Sequence, residues 1–379
     1  MKVTLFLTYG NSLGTWDRAG ILERELAIYK EQARRYQIDL TIFSYGKKSE
    51  REYQERFPEI KICFNHLSLP TMIYGKLAPL LFPRMLQEAN VIKTNQMLGA
   101  HIAASCSRKY GKPLYVRQGY SFWESESEKW GKHSSRARFA LKYEKAVSGE
   151  AHHLAFSTKR MAEEFIRRHT VVGKDKVSVL PNYVVGKTWS PPFQVPSRST
   201  RLRIGFVGKF TEQKNLKNLV EACSDLDVEL ALIGSGKLEN ALRDQTKRRA
   251  VPATFHGRLI QEEVREVLRK CDCFILPSNY EGQPKALLEA MMFGMPIIGA
   301  NISGIKELIM DGENGILTET SPRGLRVAIS RMLLASTEER QRWGNKARTV
   351  AVEDSSFNRV VDKDFEILTK LAKCNAHSG

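Results

Sequence analysis

The chain has 379 residues, of which 42% are apolar and 27% are charged. This balance excludes a disordered, collagen-like or low-complexity chain, and the length predicts two or three domains. The formal net charge is +17, and residues 1–190 carry most of it, with 31 Lys and Arg against 18 Asp and Glu. A basic first half predicts an acidic partner, which is nucleic acid, an anionic membrane surface or a phosphorylated substrate. The alternative is a basic surface that only keeps the protein soluble.

The first residues, Met1–Ser12, contain only a short apolar run, so they predict a first β-strand rather than a signal peptide. The sequence has no window of about 18 uninterrupted apolar residues, so we expect no transmembrane helix. The six cysteines lack metal-ligand spacing. We therefore expect reduced thiols and a cytoplasmic protein.

Short apolar strands alternate with helical patterns along the whole chain. Seven strands are predicted in the first half: Lys2–Tyr9, Asp39–Tyr45, Ile60–Asn65, Val91–Asn95, Pro113–Arg117, His153–Ser157 and Val177–Pro181. The clearest helical pattern, Trp16–Tyr36, follows the first of them. Five strands are predicted in the second half: Arg203–Val207, Val228–Ile233, Thr254–His256, Cys273–Pro277 and Pro296–Ala300.

Repeated strand–helix units predict an α/β protein with parallel sheets covered by helices on both faces. Residues 187–200 are rich in proline and have no periodicity, so we place a linker there. Residues 1–186 and 201–355 then form two doubly wound domains, and we expect a C-terminal helix in 356–379 to pack on the first domain. Doubly wound domains bind ligands at the carboxyl ends of their strands, so the loops there are expected to hold the functional residues.

The loop after the strand Cys273–Pro277 leads to Pro284, which suits the first position of a helix. The next three residues are Lys285, Ala286 and Leu287. Their free backbone N–H groups and the helix dipole predict an anion site suited to a diphosphate. Glu281 and Glu289 flank this helix start, where their carboxylates can accept hydrogen bonds from hydroxyl groups. The alternative is that both glutamates are ordinary solvated charges.

Four further loops contain candidate binding residues. Gly208 is followed by Lys209 and Lys214, which can neutralise a diphosphate leaving group, although two surface lysines beside a turn are the alternative. The turn Gly234, Ser235, Gly236 leaves room for a base or ribose, or is a plain tight turn. The loop with Gly10, Asn11 and Gly14 resembles a phosphate-binding loop without matching G-x-G-x-x-G. Arg117 and Gln118 end a strand where an anionic group can bind.

The eight histidines show no metal-ligand spacing and no catalytic triad.

The stretch EGQPKALLEAMMFGMPIIG, in which Glu281 and Glu289 form an E-x7-E pattern, is similar to the signature of family-4 retaining glycosyltransferases. GKFTEQKNLKNLVEA, LIGSG and FHGRLIQEEV also resemble parts of that family. The resemblance is strong over the second domain. It implies the GT-B fold, with two Rossmann-like domains facing a central cleft. It also implies transfer of a sugar from a UDP- or GDP-sugar to a lipid-linked or glycan acceptor in bacterial surface polysaccharide, lipopolysaccharide or glycoconjugate synthesis.

The resemblance also implies roles for single residues. Glu289 would bind the ribose hydroxyls, Glu281 the donor sugar, and Lys209 with Lys214 the diphosphate. Other residues implied in donor binding are Gly208, Gly234, Ser235, Gly236, Arg258, Leu259, Gly282, Gln283, Pro284, Lys285, Ala286 and Leu287. Members need no metal and no further cofactor. Many members have a histidine where this chain has Arg117 and Gln118, so the contact made there must come from other groups.

Two alternatives remain open from the sequence: a GT-B-type sugar-nucleotide epimerase and a basic nucleic-acid-binding protein. The sequence contains no basic run that alternates with aromatic residues, which a nucleic-acid-binding protein would be expected to have. The segment Lys129–Phe139 mixes cations with Trp130, which predicts peripheral contact with an anionic membrane. An ordinary solvated loop and helix is the alternative.

Overall fold

The computed structural model describes residues 1–170, 172–185, 192–196 and 201–376. They form two compact units. Unit 1 contains Met1–Pro181 and the segment that starts at Asn358, and unit 2 contains Asn182–Phe357. Most of the predicted linker lies outside the described residues. In its described part, Phe193 is buried in the core of unit 2, and its backbone N–H donates to the Phe293 carbonyl oxygen at 2.7 Å.

Unit 1 is built on a seven-stranded parallel sheet in the order β3-β2-β1-β4-β5-β6-β7. Its strands are β1 (Lys2–Phe6), β2 (Asp39–Phe43), β3 (Ile60–Cys63), β4 (Val91–Thr94), β5 (Leu114–Gln118), β6 (His153–Phe156) and β7 (Val177–Val179). Val3 of β1 lies between Leu40 of β2 and Val91 of β4, so β1 is at the centre of the sheet. All seven strands overlap the strands predicted for the first half of the chain.

In the described residues, the α-helices between these strands are α1 (Leu13–Arg18), α2 (Leu22–Tyr36), α3 (Arg51–Arg56), α4 (Thr71–Leu81), α5 (Pro83–Glu88), α6 (Ala100–Tyr110), α7 (Phe122–Trp130), α8 (Ser135–Glu150) and α9 (Lys159–Arg168). The helical pattern predicted over Trp16–Tyr36 is confirmed from Leu22 to Tyr36, but its first part is wrong, because the helix is interrupted between α1 and α2. Gly20 has a φ of +68° there, which a right-handed helix does not allow.

Unit 2 is built on a six-stranded parallel sheet in the order β10-β9-β8-β11-β12-β13. Its strands are β8 (Leu202–Val207), β9 (Val228–Ile233), β10 (Ala253–Gly257), β11 (Cys273–Leu276), β12 (Ile297–Ala300) and β13 (Ile316–Thr318). The chain runs outward from β8 to β10 and then returns to the other side of β8. The strand order therefore reverses between β8 and β11, and the loops after these two strands meet at the position where such sheets bind ligands.

The helices of unit 2 are α10 (Leu216–Ala222), α11 (Glu239–Arg248), α12 (Gln261–Leu268), α13 (Lys285–Phe293), α14 (Ser303–Lys306), α15 (Pro322–Leu334) and α16 (Thr337–Ser355). Helix α13 follows β11 and is almost entirely buried, since its side chains from Leu287 to Phe293 are covered. A strongly apolar helix in this position holds the loop before it in a fixed place on the sheet.

The last helix, α17 (Phe357–Ala376), belongs to unit 1 from Asn358 onward. Its Asp364 is fully buried and accepts hydrogen bonds from Lys93 Nζ at 2.6 and 2.7 Å. Gln32 Nε2 and the Tyr115 hydroxyl also donate to this carboxylate, at 2.8 and 2.9 Å. One carboxylate thus joins α17 to α2, β4 and β5. No helix in the described part of the chain is long and apolar enough to cross a bilayer.

Candidate functional site

In unit 2 the loops after β8 and β11 are joined to each other by hydrogen bonds to backbone carbonyl oxygens. Asn279 N–H donates to the Gln213 carbonyl oxygen at 2.8 Å, and Gln213 Nε2 donates to the Tyr280 carbonyl oxygen at 2.9 Å. Asn215, a buried residue with a φ of +57°, donates to the Pro277 carbonyl oxygen at 3.1 Å. These bonds fix the two loops as one surface at the end of the sheet.

This surface brings together two of the predicted catalytic residues. Lys214 Nζ donates to Glu281 Oε1 in an ion pair whose side chains are only 17% and 8% exposed. The third predicted catalytic residue, Lys209, lies on the same loop as Lys214 with an exposed side chain. The ion pair places one positive and one negative group beside the start of α13.

The start of α13 has no side-chain cap. The helix begins at Lys285, and Pro284 is its N-cap residue, so the prediction that Pro284 takes the first helical position is wrong by one residue. The Pro284 carbonyl oxygen still accepts the first helical hydrogen bond, from Leu288 N–H at 3.2 Å. The first-turn N–H groups have no intrahelical acceptor, and the helix dipole makes this end positive. Leu287 is fully buried, so only its backbone can take part in binding.

The loop that precedes α13 is held from two sides. Gly304 packs against it so closely that a Cβ atom on Gly304 would lie 1.6 Å from the Gly282 carbonyl oxygen. The Gln283 side-chain oxygen accepts a hydrogen bond from Asn182 N–H at 2.6 Å, and Asn182 Nδ2 donates to the Gln283 carbonyl oxygen at 2.6 Å. Gln283, a predicted donor-binding residue, therefore holds the loop in place through these bonds. The Asn182 contact was not predicted, because the two residues are 101 positions apart.

The turn after β9 packs against the turn after β8. A Cβ atom on Gly234 would lie 1.9 Å from the Gly208 carbonyl oxygen, and one on Gly236 would lie 2.4 Å from the Phe210 carbonyl oxygen. Gly234 also has a φ of +135°, which favours glycine. These glycines let the two turns approach closely. Their role is backbone packing between the turns, and not the open space for a base or ribose that the sequence predicted.

The contacts of three other predicted donor-binding residues are as follows. Arg258 Nε donates to Ser235 Oγ at 2.8 Å, which ties the loop after β10 to the loop after β9. Leu259 is partly buried against the core of unit 2. Lys285 Nζ lies 5.3 Å from the centroid of the Tyr183 ring, a cation–π contact within unit 2.

Glu289 lies one helical turn beyond Lys285 and is 7% exposed. Gln261 Nε2, at the start of α12, donates to Glu289 Oε1 at 3.4 Å. Gln261 was not singled out in the sequence, although it belongs to the FHGRLIQEEV stretch. A carboxylate held in this way at the edge of a binding surface is suited to accept hydrogen bonds from hydroxyl groups.

In unit 1 the N–H groups at the start of α1, in the loop after β1, already have an acceptor. The buried carboxylate of Glu50 accepts hydrogen bonds from Leu13 N–H at 3.1 Å and Gly14 N–H at 3.0 Å. Asn11 N–H donates to the Thr8 carbonyl oxygen at 2.8 Å, and Gly10 serves the turn with a φ of +80°. The interpretation of Gly10, Asn11 and Gly14 as a phosphate loop is therefore corrected, because Glu50 occupies the position where an anion would bind.

At the end of β5, Gln118 is 1% exposed and donates to Glu144 Oε1 at 3.1 Å. Glu144 is fully buried and also accepts from Trp123 N–H at 2.9 Å, so Gln118 belongs to the interior of unit 1. Arg117, one residue earlier, is partly exposed and stays a candidate for contact with an anionic group. Within the ranges that the structure describes, no three His, Cys, Asp or Glu side chains are grouped as metal ligands.

Comparison with known proteins finds glycosyltransferases. Residues 188–350 match the family model of glycosyl transferases group 1. The uncharacterised glycosyltransferase MJ1178 of Methanocaldococcus jannaschii is 33% identical over 130 residues, 34% of this chain and 37% of that protein. The amylovoran biosynthesis glycosyltransferase AmsK of Erwinia amylovora is 36% identical over 148 residues, 35% of each chain. The chain therefore matches these two relatives over little more than a third of their length.

Among solved structures, HepE of Anabaena in complex with UDP and glucose superposes with a TM-score of 0.76 at 18% identity. The match covers 98% of this chain and 100% of HepE. The predicted fold class, GT-B with two Rossmann-like parallel-sheet domains, is confirmed, as is the resemblance to glycosyltransferases. Membership of the retaining family 4 stays a prediction.

Proposed function

We propose that the protein is a retaining glycosyltransferase that moves a sugar from a nucleoside-diphosphate sugar to a lipid-linked or glycan acceptor. The observation that carries the proposal is the uncapped start of α13 beside the Lys214–Glu281 pair. N–H groups and a lysine are suited to a diphosphate, and Glu281 and Glu289 are suited to sugar and ribose hydroxyls. The match to glycosyl transferases group 1 and the UDP and glucose in HepE support this assignment.

In the proposed reaction the bond between the anomeric carbon and the diphosphate oxygen breaks, and a bond to the acceptor oxygen forms on the same face of the sugar. The acceptor hydroxyl gives its proton to a phosphate oxygen of the leaving group. Negative charge grows on the diphosphate as the bond breaks, so Lys214, Lys209 and the α13 N–H groups stabilise the transition state more than the bound donor. We place the reaction in bacterial surface polysaccharide, lipopolysaccharide or glycoconjugate synthesis, in line with the name of AmsK as an amylovoran biosynthesis glycosyltransferase.

A thermal-shift screen of the purified protein against UDP-, GDP- and ADP-sugars tests donor binding. At a concentration 100 times Kd, a bound donor stabilises the folded state by about 2.7 kcal/mol, which raises Tm. No shift with any nucleotide sugar would contradict the proposal. We expect the same shift in EDTA, since the proposed site uses helix N–H groups and lysines instead of a metal ion.

Turnover with the donor identified in the screen tests the catalytic assignment. Lys209→Ala and Lys214→Ala should each raise the activation free energy by about 2–4 kcal/mol, by analogy with removed oxyanion donors. Because the phosphate charge grows towards the transition state, kcat should fall more than KM rises. Near-normal kcat in both variants would remove these lysines from the site.

A further inference from the structure

Helices α4, α6 and α8 belong to the layer that covers one face of the sheet in unit 1, together with α5 and α7 of the same crossovers. Each belongs to a crossover that advances in the same direction across the sheet, so the right-handed rule places all three on one face. Helix α6 packs against both α4 and α8. The three helices contain seven Lys or Arg and only two glutamates. One of these, Glu144, is fully buried, and the other, Glu150, pairs with Arg108 at 2.7 Å. The solvent sides of these three helices are therefore cationic, whereas α7, which packs against α8, contains Glu124, Glu126 and Glu128.

The outer side of α4 is apolar as well. Met72, Ile73 and Leu80 share this side with Lys76, and their side chains are 59%, 42% and 65% exposed. The opposite side of α4 is tightly packed, since a Cβ atom on Gly75 would lie 2.5 Å from Ile102 Cδ1. The exposed apolar row of Met72, Ile73 and Leu80 therefore faces solvent, because rotation of α4 would break the tight contact at Gly75.

The segment that contains α4 carries charge of one sign. From Ile60 to Gln87 the sequence contains no Asp or Glu, while Lys61 and Lys76 are exposed, as is Arg84, which pairs with Glu88 at 2.9 Å. On α8, Phe139 is 59% exposed. Its exposed basic neighbours on that helix are Arg138, Lys142 and Lys145. Both outer helices thus combine exposed apolar side chains with cations.

We propose that the outer surface of α4 and α8 is a docking surface for an anionic lipid bilayer. Met72, Ile73, Leu80 and Phe139 enter the boundary between headgroups and acyl chains, and the cations contact lipid phosphates. Nucleic acid would also attract the cations, but phosphate binding makes no use of exposed aliphatic side chains. The combination therefore favours a membrane. The inference rests on unit 1 alone and does not depend on the proposed transferase activity.

This surface differs from the membrane segment predicted from the sequence. In Lys129–Phe139, Trp130 ends α7 and the Arg136 guanidinium stacks on its ring at 4.3 Å from the centroid. Only the end of that segment, Arg138 and Phe139, belongs to the surface proposed here. Most of the apolar contact is assigned to α4, which the sequence analysis did not connect with a membrane.

Sedimentation of the full chain with lipid vesicles tests the proposal. We expect binding to vesicles that contain phosphatidylglycerol, weak binding to pure phosphatidylcholine, and loss of binding at high salt. A variant with Met72→Ser, Ile73→Ser and Leu80→Ser should bind roughly tenfold or more weakly, because it removes the inserted side chains. The matched control, Val327→Ser with Leu334→Ser on α15, removes equally exposed apolar groups in unit 2 and should bind as the wild type does.

Equal binding to both vesicle types at low salt would overturn the proposal, and so would unchanged binding of the α4 variant. Single-stranded RNA is tested in parallel. Tight RNA binding that the α4 substitutions leave intact, together with weak vesicle binding, would identify nucleic acid as the partner instead. Thermal melting checks that the variants fold. If the α4 variant does not fold, Lys76→Gln with Lys142→Gln tests the same surface and should weaken binding to anionic vesicles several-fold.

Discussion

Lys214 and Glu281 neutralise each other in a largely buried ion pair at the proposed diphosphate site. Lys214→Ala leaves the Glu281 carboxylate without its partner, so we expect a loss of about 1–3 kcal/mol in the free energy of unfolding. Adding Glu281→Gln should recover part of this loss, because the uncompensated charge is then removed. Urea unfolding of the two single variants and the double variant measures the coupling.

The neighbouring pair Lys217–Glu212 is the matched control for this cycle. Its charged atoms are also in contact, at 2.9 Å, but its side chains are 46% and 62% exposed. The same substitutions there should cost no more than about 1 kcal/mol. Additive effects at Lys214 and Glu281 would mean that the two side chains do not depend on each other.

Glu281 and Glu289 should differ in which kinetic constant they control. Glu289→Gln should mainly weaken nucleotide binding, because a ribose contact is the same in the bound donor and in the transition state. Glu281→Gln should mainly lower kcat, because the sugar is then less well positioned for attack. Titration with nucleotide and steady-state kinetics separate the two effects. Glu262→Gln, at an exposed position of α12, is the control, and wild-type constants in both test variants would contradict these roles.

Glu50 is the residue that the sequence analysis missed in unit 1. Its carboxylate accepts hydrogen bonds from Leu13 N–H, Gly14 N–H and Ser44 Oγ, the last at 2.6 Å. Glu50→Ala leaves these donors unsatisfied in the interior, so we expect a loss of about 2–4 kcal/mol in the free energy of unfolding. Glu52→Ala, at an exposed position two residues away, should change it by no more than about 0.5 kcal/mol. Equal effects in chemical denaturation would show that the Glu50 bonds contribute little.

At the scale of elements, α7 and α9 carry a pH-sensitive contact. Burial raises the pKa of Glu124 on α7 to about 7, and a hydrogen bond and the charge of Glu164 on α9 add to the shift. Arg160 and Arg168 lie 3.6 and 3.5 Å from the Glu124 carboxylate and oppose it. The folded state therefore holds a proton on Glu124 that the unfolded state releases at lower pH.

This contact predicts how stability depends on pH. A carboxyl group whose pKa is raised in the folded state stabilises that state at pH values below its pKa in the unfolded chain. This stabilisation is lost as the pH rises to about 7, the pKa of Glu124 in the folded state. Glu124→Gln imitates the protonated group, so the variant should match the wild type near pH 4 and be more stable at pH 8. Unfolding free energies at both pH values test this. An identical pH dependence in the two proteins would show that Glu124 ionises normally.

Strands were predicted better than helix boundaries because buried parallel strands are continuous apolar runs with little dependence on distant contacts. β9 has the predicted ends, Val228–Ile233. β13 was not among the predicted strands, because Ile316–Thr318 is too short to show a period. At the candidate site, the E-x7-E pattern singled out Glu281 and Glu289, whose roles stay predictions. Asn182 and Glu50 were not singled out, because their partners are distant in sequence or they belong to no motif.

At the scale of the whole molecule, Asp364 connects the last helix to unit 1. Burial lowers the pKa of Lys93, and the Asp364 carboxylate beside it opposes that shift. Asp364→Ala leaves this buried cation without a counter-ion, so we expect a loss of about 3–5 kcal/mol in the free energy of unfolding. Asp362→Ala is the control on the same helix, since its half-exposed side chain pairs with Arg35 at 3.1 Å and should cost about 1 kcal/mol or less. Urea unfolding that shows equal losses in both variants would contradict a special role for Asp364.

The Lys93–Asp364 pair also sets the order in which the two units can be completed during synthesis. Lys93 and its counter-ion are 271 residues apart, with all of unit 2 made between them. At about 5–20 residues per second, a ribosome needs on the order of tens of seconds to cover that distance. Unit 2 has all of its residues before unit 1 has its last helix. Of the two units, unit 1 therefore starts first and is completed last, and Lys93 stays without its counter-ion throughout that interval.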